Sequence, residues 1–175
     1  MENAFIQLQT RAGVELNVRP VSVADEPLLA EFFTHVTKED LRFRYLVGIN
    51  HVSKERIAEL AEIDHIHIEN YLAFGQGGKP LIATAMLACD PKFERAEVAI
   101  TIREDFKDLG IGWELLSYLA KVAREKGVKV LESIEQRDNH AAIELEMHMG
   151  FTAEVDPDDP TLIVVRKKLS EEVSP

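Results

Sequence analysis

The sequence is poor in cysteine, in basic residues and in long apolar runs, and each shortage excludes a class of protein. Cys89 is the single cysteine among 175 residues, so no internal disulfide can form and the chain suits a reducing compartment. No apolar run reaches the ~18–20 residues of a membrane span. The opening segment MENAFIQLQT lacks the basic and apolar regions of a signal peptide. These features predict a cytoplasmic protein without a membrane partner.

The shortage of basic residues makes the chain strongly acidic. Twenty lysines and arginines stand against 31 aspartates and glutamates, which gives a formal net charge of −11. Nucleic-acid-binding surfaces need clustered lysine and arginine, so we expect no nucleic-acid partner. An acidic surface favours cationic partners, but solubility alone is the preferred explanation of this charge.

Length and composition are those of one globular domain. Hydrophobic residues make up 46% of the chain and charged residues 29%, as in ordinary globular proteins. We expect a single domain over residues 1–175, with a core at about 14–168 and a frayed tail at 170–175.

Hydrophobic periodicity predicts a mixed α/β chain with the order β-α-α-α-β-β-β-α-β-α-β-β. The strands are expected at residues 14–19, 67–74, 80–89, 95–102, 128–134, 151–155 and 162–168. The helices are expected at residues 25–35, 37–47, 54–63 and 113–126, and between Asn139 and Gly150. Thr37, Ser53 and either Asp138 or Asn139 are the expected N-caps, and Gly127 the expected left-handed end of the long helix.

The turn from Lys107 to Gly112 joins the strand at 95–102 to the long helix. Its two glycines, at 110 and 112, allow a sharp turn that exposes consecutive N–H groups at a helix start, a favourable site for a phosphate. It is not a P-loop, because Gly112 is followed by Trp113 and Glu114. It is not a dinucleotide fingerprint either, because Leu115 stands where the third glycine belongs. An ordinary strand–helix turn remains an alternative.

Two motifs together resemble the GCN5-related N-acetyltransferase (GNAT) family. Residues 107–112 resemble its phosphate loop, Gln/Arg-x-x-Gly-x-Gly/Ala, with Lys107 in the first place. Asn139 follows 27 residues after Gly112 and opens a segment, 139–151, that resembles the family's Asn-x-x-Ala-x-x-x-Tyr-x-x-x-Gly-Phe element. Residues 18–20, 24–29 and 38–45 are similar to the acetyltransferase domain of bacterial protein lysine acetyltransferases.

This resemblance implies a fold, a cofactor and a set of contacts. The fold would be a mixed, mainly antiparallel, splayed central sheet flanked by helices, with the cofactor between the strands at 95–102 and 128–134. The co-substrate would be acetyl-CoA, with no metal. The main contacts would be N–H groups from Leu109 to Trp113, with Lys107 either touching a phosphate or solvated, and Asn139 both capping its helix and approaching the pantetheine. The implied cofactor-binding residues are Ile100, Ile102, Lys107, Leu109, Gly110, Ile111, Gly112, Trp113 and Asn139.

Glu97 is the candidate general base. A lysine amine titrates near pH 10.4, so a positioned proton acceptor assists its attack. On the alternating strand 95–102, Glu97 shares a face with Ala99 and Thr101, which leave room for a ligand. The pattern alone favours a solvated strand glutamate, and the family resemblance reverses that preference in favour of the base. The other carboxylates considered are Asp90, Glu94, Glu132 and, as the best of them, Glu135.

Two positions depart from the family pattern. Glu146 stands where many members carry a tyrosine acid, so either this carboxyl or water protonates the leaving thiolate; we expect a surface helix residue and water. Asp108 places an anion in the phosphate loop, where it either caps the helix or weakens diphosphate binding slightly. The segment 64–67, with two histidines, is interpreted as a polar loop rather than a metal site.

Three functions follow. The first is acetyl transfer to a protein lysine by direct attack, and the second is transfer to a small amine such as a polyamine or amino-sugar. The third is a non-catalytic acyl-CoA sensor. Residues 42–45 are expected on the acceptor side or as a solvated helix face. The pattern leaves monomer and homodimer both open.

Overall fold

The computed structural model describes residues 5–169, which form one eight-stranded sheet with helices on both faces. The strands are β1 (Ile6–Gln9), β2 (Glu15–Pro20), β3 (Ile68–Phe74), β4 (Leu81–Cys89), β5 (Arg95–Ile102), β6 (Val130–Gln136), β7 (Thr152–Val155) and β8 (Leu162–Lys168). The helices are α1 (Glu26–Phe33), α2 (Lys38–Tyr45), α3 (Lys54–Ala61), α4 (Ile111–Glu125) and α5 (His140–His148). No helix in this part of the chain is long and apolar enough to cross a membrane.

The sheet order is β1-β2-β3-β4-β5-β6-β8-β7. Every neighbouring pair is antiparallel except β5 and β6, which run parallel. This confirms the mixed, mainly antiparallel fold class. Thr37 and Ser53 cap α2 and α3, accepting from the N–H groups of Asp40 and Arg56, and Gly127 ends α4 with a φ of +82°.

β1 was not predicted. It is a short edge strand that pairs only with β2, and its residues are largely exposed, so burial leaves little pattern in the sequence. The turn after it is held by Thr10, whose hydroxyl accepts from the Val14 N–H at 3.1 Å. The remaining elements lie within two residues of their predicted bounds. The predicted tail at 170–175 lies outside the described residues.

Each sheet face buries its own group of helices. Alternate side chains of β4 and β5, such as Ala85 and Val98, pack against the apolar stripe of α4 that includes Leu115 and Leu119. Helices α1, α2 and α3 pack on the opposite face around the fully buried Phe32. Leu145 of α5 joins the α4 side. The sheet therefore separates an α4–α5 side from an α1–α3 side.

The sheet opens between β5 and β6. Their ladder has only three pairs, Arg95 with Val130, Ala96 with Leu131 and Glu97 with Glu132. Both strands continue beyond the last pair, to Ile102 and Gln136, so they part after Glu97 and leave a cleft. Main-chain groups of β5 on the cleft side have no strand to pair with there. The splayed sheet expected from the family resemblance is confirmed.

Candidate active site at the splayed strands

The glycine turn presents open N–H groups at the start of α4. Gly110 is the N-cap, with a φ of +81°, and no side chain caps the helix. The first intrahelical bond runs from the Glu114 N–H to the Gly110 carbonyl at 3.3 Å, so the N–H groups of Ile111, Gly112 and Trp113 have no helical partner. Of the two roles considered for Asp108, capping is excluded, because Gly110 occupies the cap position and the helix has no side-chain cap bond.

The turn lies where β5 ends and α5 approaches. A Cβ added to Gly112 would meet Leu145 Cδ1 at 3.5 Å and Ile102 Cδ1 at 3.7 Å, so this glycine stands between the two walls of the cleft. A cavity of about 400 Å³ adjoins the turn, and Gly110, Trp113 and Ala141 help to line it. The predicted N–H site is thus open and next to the parted strands.

Arg11 is the cation beside this turn, and sequence reasoning missed it. Its guanidinium lies over the Trp113 ring, 5.0 Å from the ring centre, and it lines the cavity. Lys107, the cation that the motif placed here, points instead to α2, where its Nζ is 2.7 Å from Asp40 Oδ2. Arg11 comes from the β1–β2 turn, nearly a hundred residues away in sequence, and no local signal marks it.

Glu97 is the last residue of β5 that is paired with β6, so its side chain stands at the fork of the cleft. Among residues 5–169 its carboxylate has no hydrogen-bond or ion-pair partner. The residue is exposed, yet nearby protein partly desolvates the carboxyl. This desolvation raises the pKa of Glu97, the positive charge of Arg44 opposes the rise, and Glu132 and Glu135 add to it. It is an available base at the wall of an open cleft.

The other candidate carboxylates are mostly engaged. Glu132 accepts from Arg95 at 3.0 Å and Arg166 at 2.6 Å. Asp90 accepts from two main-chain N–H groups in the β4–β5 turn. Glu94 lies exposed in the same turn, before β5 begins. Glu97 is therefore the carboxylate that the fold leaves unengaged at the fork.

Glu135, the best alternative base, belongs to a buried network behind the α5 wall. It accepts from Ser133 Oγ at 2.6 Å and from Asn139 Nδ2 at 3.0 Å. Asn139 stands at the N-cap of α5 but makes no side-chain cap bond, so its expected capping role is wrong: its amide binds Glu135 instead.

Glu146 is buried, with 4% of its surface exposed, and the expectation of a surface helix residue is wrong. It faces β6, where burial and the neighbouring carboxyl of Glu135 raise the pKa of Glu146. Two carboxyls in such contact share a proton. Its Oε2 has no partner in the described chain.

Helix α2 spans the open end of the cleft. Arg42 bonds Gln136 of β6 and pairs with Asp138 at 2.8 Å, whereas Arg44 lies against Met86 of β4. Residues 42 and 44 thus contact the sheet at β6 and β4, and their role towards an acceptor stays a prediction.

The segment 64–67 is a polar loop, as expected. Asp64 accepts from three main-chain N–H groups, those of Ile66, His67 and Ile68, each at 2.9 Å. Residues 5–169 contain no group of three His, Cys, Asp or Glu side chains arranged to hold a metal. Cys89 ends β4, as predicted for a strand position.

Comparisons with known proteins identify the family of this chain. The model of the Acetyltransferase (GNAT) family matches residues 34–151. An acetyltransferase of Pseudomonas aeruginosa is 27% identical over 161 residues, which cover 90% of this chain and 86% of that protein.

Two solved structures share the fold. The GNAT domain of S. lividans PAT has a TM-score of 0.86 at 23% identity, covering 94% of this chain and 97% of that one. PaiA N-acetyltransferase from Thermoplasma acidophilum, solved with coenzyme A, has a TM-score of 0.69 at 21% identity, covering 87% and 98%. Because the family model matches more than half of the sequence, the chain belongs to the GNAT family of acetyl-CoA-dependent N-acetyltransferases.

Proposed function

We propose that the protein transfers the acetyl group of acetyl-CoA to a protein lysine side chain, with Glu97 as the general base. The observation that carries this proposal is the position of Glu97. Its carboxylate, which has no partner within residues 5–169, stands at the fork where β5 and β6 part, and the open helix start lies farther along the same cleft.

The cofactor would lie along this cleft from the turn to the fork. Its diphosphate would bind the N–H groups from Leu109 to Trp113, where the helix dipole favours negative charge. Arg11 would add a positive charge at the cavity. Lys107, through Asp40, would hold α2 against the turn rather than touch a phosphate.

The pantetheine arm would follow the open edge of β5. Beyond Glu97 this strand has no partner on the cleft side, so main-chain groups at Ile100 and Ile102 are available to an extended amide chain. Asn139, held by Glu135, would line the opposite wall. The thioester would then end beside Glu97.

The chemistry is a direct attack. Deprotonating a lysine amine at pH 7 costs about 4.6 kcal/mol, from a pKa near 10.4, so a base beside the amine lowers the barrier substantially. Glu97 takes the proton, the nitrogen attacks the thioester carbonyl, and the C–S bond breaks. A raised pKa makes Glu97 a stronger base. The departing thiolate has a pKa near 8.5, and water would protonate it, because Glu146 is held by Glu135.

A lysine on a protein is supported by two features. Glu97 is exposed at the mouth of the cleft, so a side chain on a large partner can reach it. The sequence of residues 18–45 is also similar to bacterial protein lysine acetyltransferases. A small amine remains the alternative acceptor for the same base.

Thermal-shift measurements with acetyl-CoA and CoA test the first step. A ligand at 100 times its dissociation constant adds about 2.7 kcal/mol to the free energy of unfolding, so a clear rise in Tm is expected. Absence of any shift at millimolar ligand contradicts the proposal.

Thiol release against purified proteins and a panel of small amines tests the second step. Acetylation of proteins is expected, and mass spectrometry identifies the modified lysines. If only small amines are acetylated, the acceptor is a small amine and not a protein lysine. Binding of acetyl-CoA without any thiol release would favour a sensor.

A further inference from the structure

Arg44 is a half-buried arginine on α2 that faces the candidate base without a carboxylate partner. Its Nη2 lies 3.7 Å from Met86 Sδ, and its guanidinium carbon is 5.0 Å from the Tyr45 ring centre. Within residues 5–169 no carboxylate oxygen lies within 4.0 Å of this guanidinium. Burial lowers the pKa of Arg44, and the charge of Glu97 opposes that shift. The two charges therefore interact electrostatically, although no hydrogen bond or ion pair joins the two side chains.

Two other basic side chains on this side of the sheet, Arg42 and Lys107, are paired with carboxylates. Arg42 pairs with Asp138 at 2.8 Å and Lys107 with Asp40 at 2.7 Å, and Glu132 is held by two arginines. A guanidinium has five N–H donors, and the thioether that Arg44 contacts is a weak acceptor. Met86 is the only hydrogen-bond partner of the Arg44 side chain in the described residues, so most of its donors are available to a ligand.

The strand beneath Arg44 leaves room for a ligand group. Met86 pairs with Ala99 across β4 and β5, so Arg44 lies near a small residue that is the next one after Glu97 on the same face of β5. A molecule that enters the cleft from this side therefore meets the Glu97 carboxylate and the Arg44 guanidinium on the same face of the sheet.

We propose that Arg44 binds a carboxylate of the acceptor while the acceptor amine meets Glu97. This inference rests on the proposed acetyl transfer at the same site. A guanidinium binds a carboxylate through two parallel hydrogen bonds, so Arg44 selects amines that carry a carboxylate nearby. That carboxylate comes either from an acidic side chain beside the target lysine or from a small amine that is itself an amino acid.

The structure provides a matched control for the packing of Arg44. Arg56 lies over the same Tyr45 ring, 4.6 Å from its centre. Replacing either arginine by methionine removes one guanidinium from that ring, but only Arg44 adjoins Met86 and senses the charge of Glu97. A purely structural role predicts the same outcome for both variants.

The experiment compares kcat/KM for matched acceptors with Arg44→Met and Arg56→Met. One arm uses peptides in which the lysine is flanked by glutamate or by glutamine. The other uses small amino acids and their amides. The wild-type enzyme is expected to prefer the carboxylate acceptor at least tenfold in one arm, which identifies the source. Arg44→Met should reduce that preference to about twofold or less with an unchanged KM for acetyl-CoA, and Arg56→Met should keep it.

The opposite outcomes overturn the inference. A wild-type enzyme that acetylates both members of each pair equally, or an Arg44→Met enzyme that keeps the preference, shows that Arg44 does not read a carboxylate. If Arg44→Met does not fold, Arg44→Lys replaces it and should lose most of the preference, because an ammonium lacks the planar fork. A different result would be a wild-type protein that neither binds acetyl-CoA nor releases thiol. That result contradicts the proposed function, and the inference about Arg44 fails with it.

Discussion

The two ends of the cleft are built from different parts of the chain. At the proposed cofactor end, main-chain N–H groups of one short turn, residues 109–113, would provide the binding surface. At the proposed acceptor end, side chains from separate elements lie on one face of the sheet: Glu97 of β5, Arg44 of α2 and Met86 of β4. The first surface depends on backbone conformation, and the second depends on individual side chains.

This difference predicts how each end responds to substitution. A backbone site tolerates most side-chain changes but not a change of the φ angles that aim its N–H groups. A side-chain site keeps its shape when one residue is replaced and loses one chemical function. Variants at the cofactor end should therefore change affinity for acetyl-CoA, and variants at the acceptor end should change transfer.

Gly110→Ala is the sharpest test of the backbone site. Gly110 has a φ of +81°, and a left-handed conformation costs an L-residue about 1–2 kcal/mol, so the turn is expected to relax and misalign its N–H groups. We expect the Kd for acetyl-CoA, measured by calorimetry, to rise about tenfold or more.

Gly127→Ala is the matched control for strain. Gly127 has a φ of +82° at the other end of α4, with no atom within 4 Å of an added Cβ. Both variants should lose similar stability, but Gly127→Ala should bind acetyl-CoA like the wild type. Equal loss of binding in both would show that the turn has no specific role.

Arg11→Gln and Lys107→Gln compare two cations near the turn. Arg11 lines the cavity, so its loss should raise the Kd for CoA about fivefold, as for one exposed charge-assisted contact of about 1 kcal/mol. Lys107 is paired with Asp40, so its loss should change the Kd less than twofold. If the same titrations show a larger rise in Kd for Lys107→Gln than for Arg11→Gln, then Lys107 binds the phosphate as the sequence motif implies.

Glu146→Gln tests whether a carboxyl on the cofactor side takes part in transfer. We expect thiol release within about twofold of wild type. The pKa of Glu146 is raised in the folded protein above about 4.3 in the unfolded chain. The native state then holds a proton that the unfolded state releases.

The stabilisation from that proton is complete below pH ~4.3 and is lost as pH rises. Denaturant unfolding should therefore show the wild type losing stability relative to Glu146→Gln between about pH 5 and pH 8, by at most about 1.4 kcal/mol per pH unit. Glu144→Gln, which changes an exposed glutamate of the same helix, should keep the wild-type slope. A stability difference between wild type and Glu146→Gln that does not change with pH would contradict the raised pKa of Glu146.

The sequence predicted what local chemistry determines. Alternation and glycine positions located the strands, helix ends and the turn at 107–112, because backbone geometry follows from a few neighbouring residues. Glu97 was located for the same reason, since its face of β5 is set by the period of the strand. The family resemblance supplied the splay between β5 and β6.

Long-range packing determined what the sequence did not predict. Arg11 reaches the turn only through β1, an exposed edge strand with little pattern, and Lys107 is drawn away by Asp40 of α2. Glu146 is an ionisable residue that packing buries beside Glu135 of β6. None of these contacts joins residues that are near neighbours in sequence, so local sequence patterns do not predict them.

The central claim is that Glu97 removes the proton from the amine while the turn holds the cofactor. Glu97→Gln tests it directly, with acetyl-CoA affinity and single-turnover thiol release measured on the same preparation and Glu94→Gln as the control. The account predicts unchanged affinity with a rate about 10²–10⁴ lower, and a wild-type rate that falls as pH drops through the raised pKa of Glu97. A Glu97→Gln enzyme that transfers at the wild-type rate would contradict it.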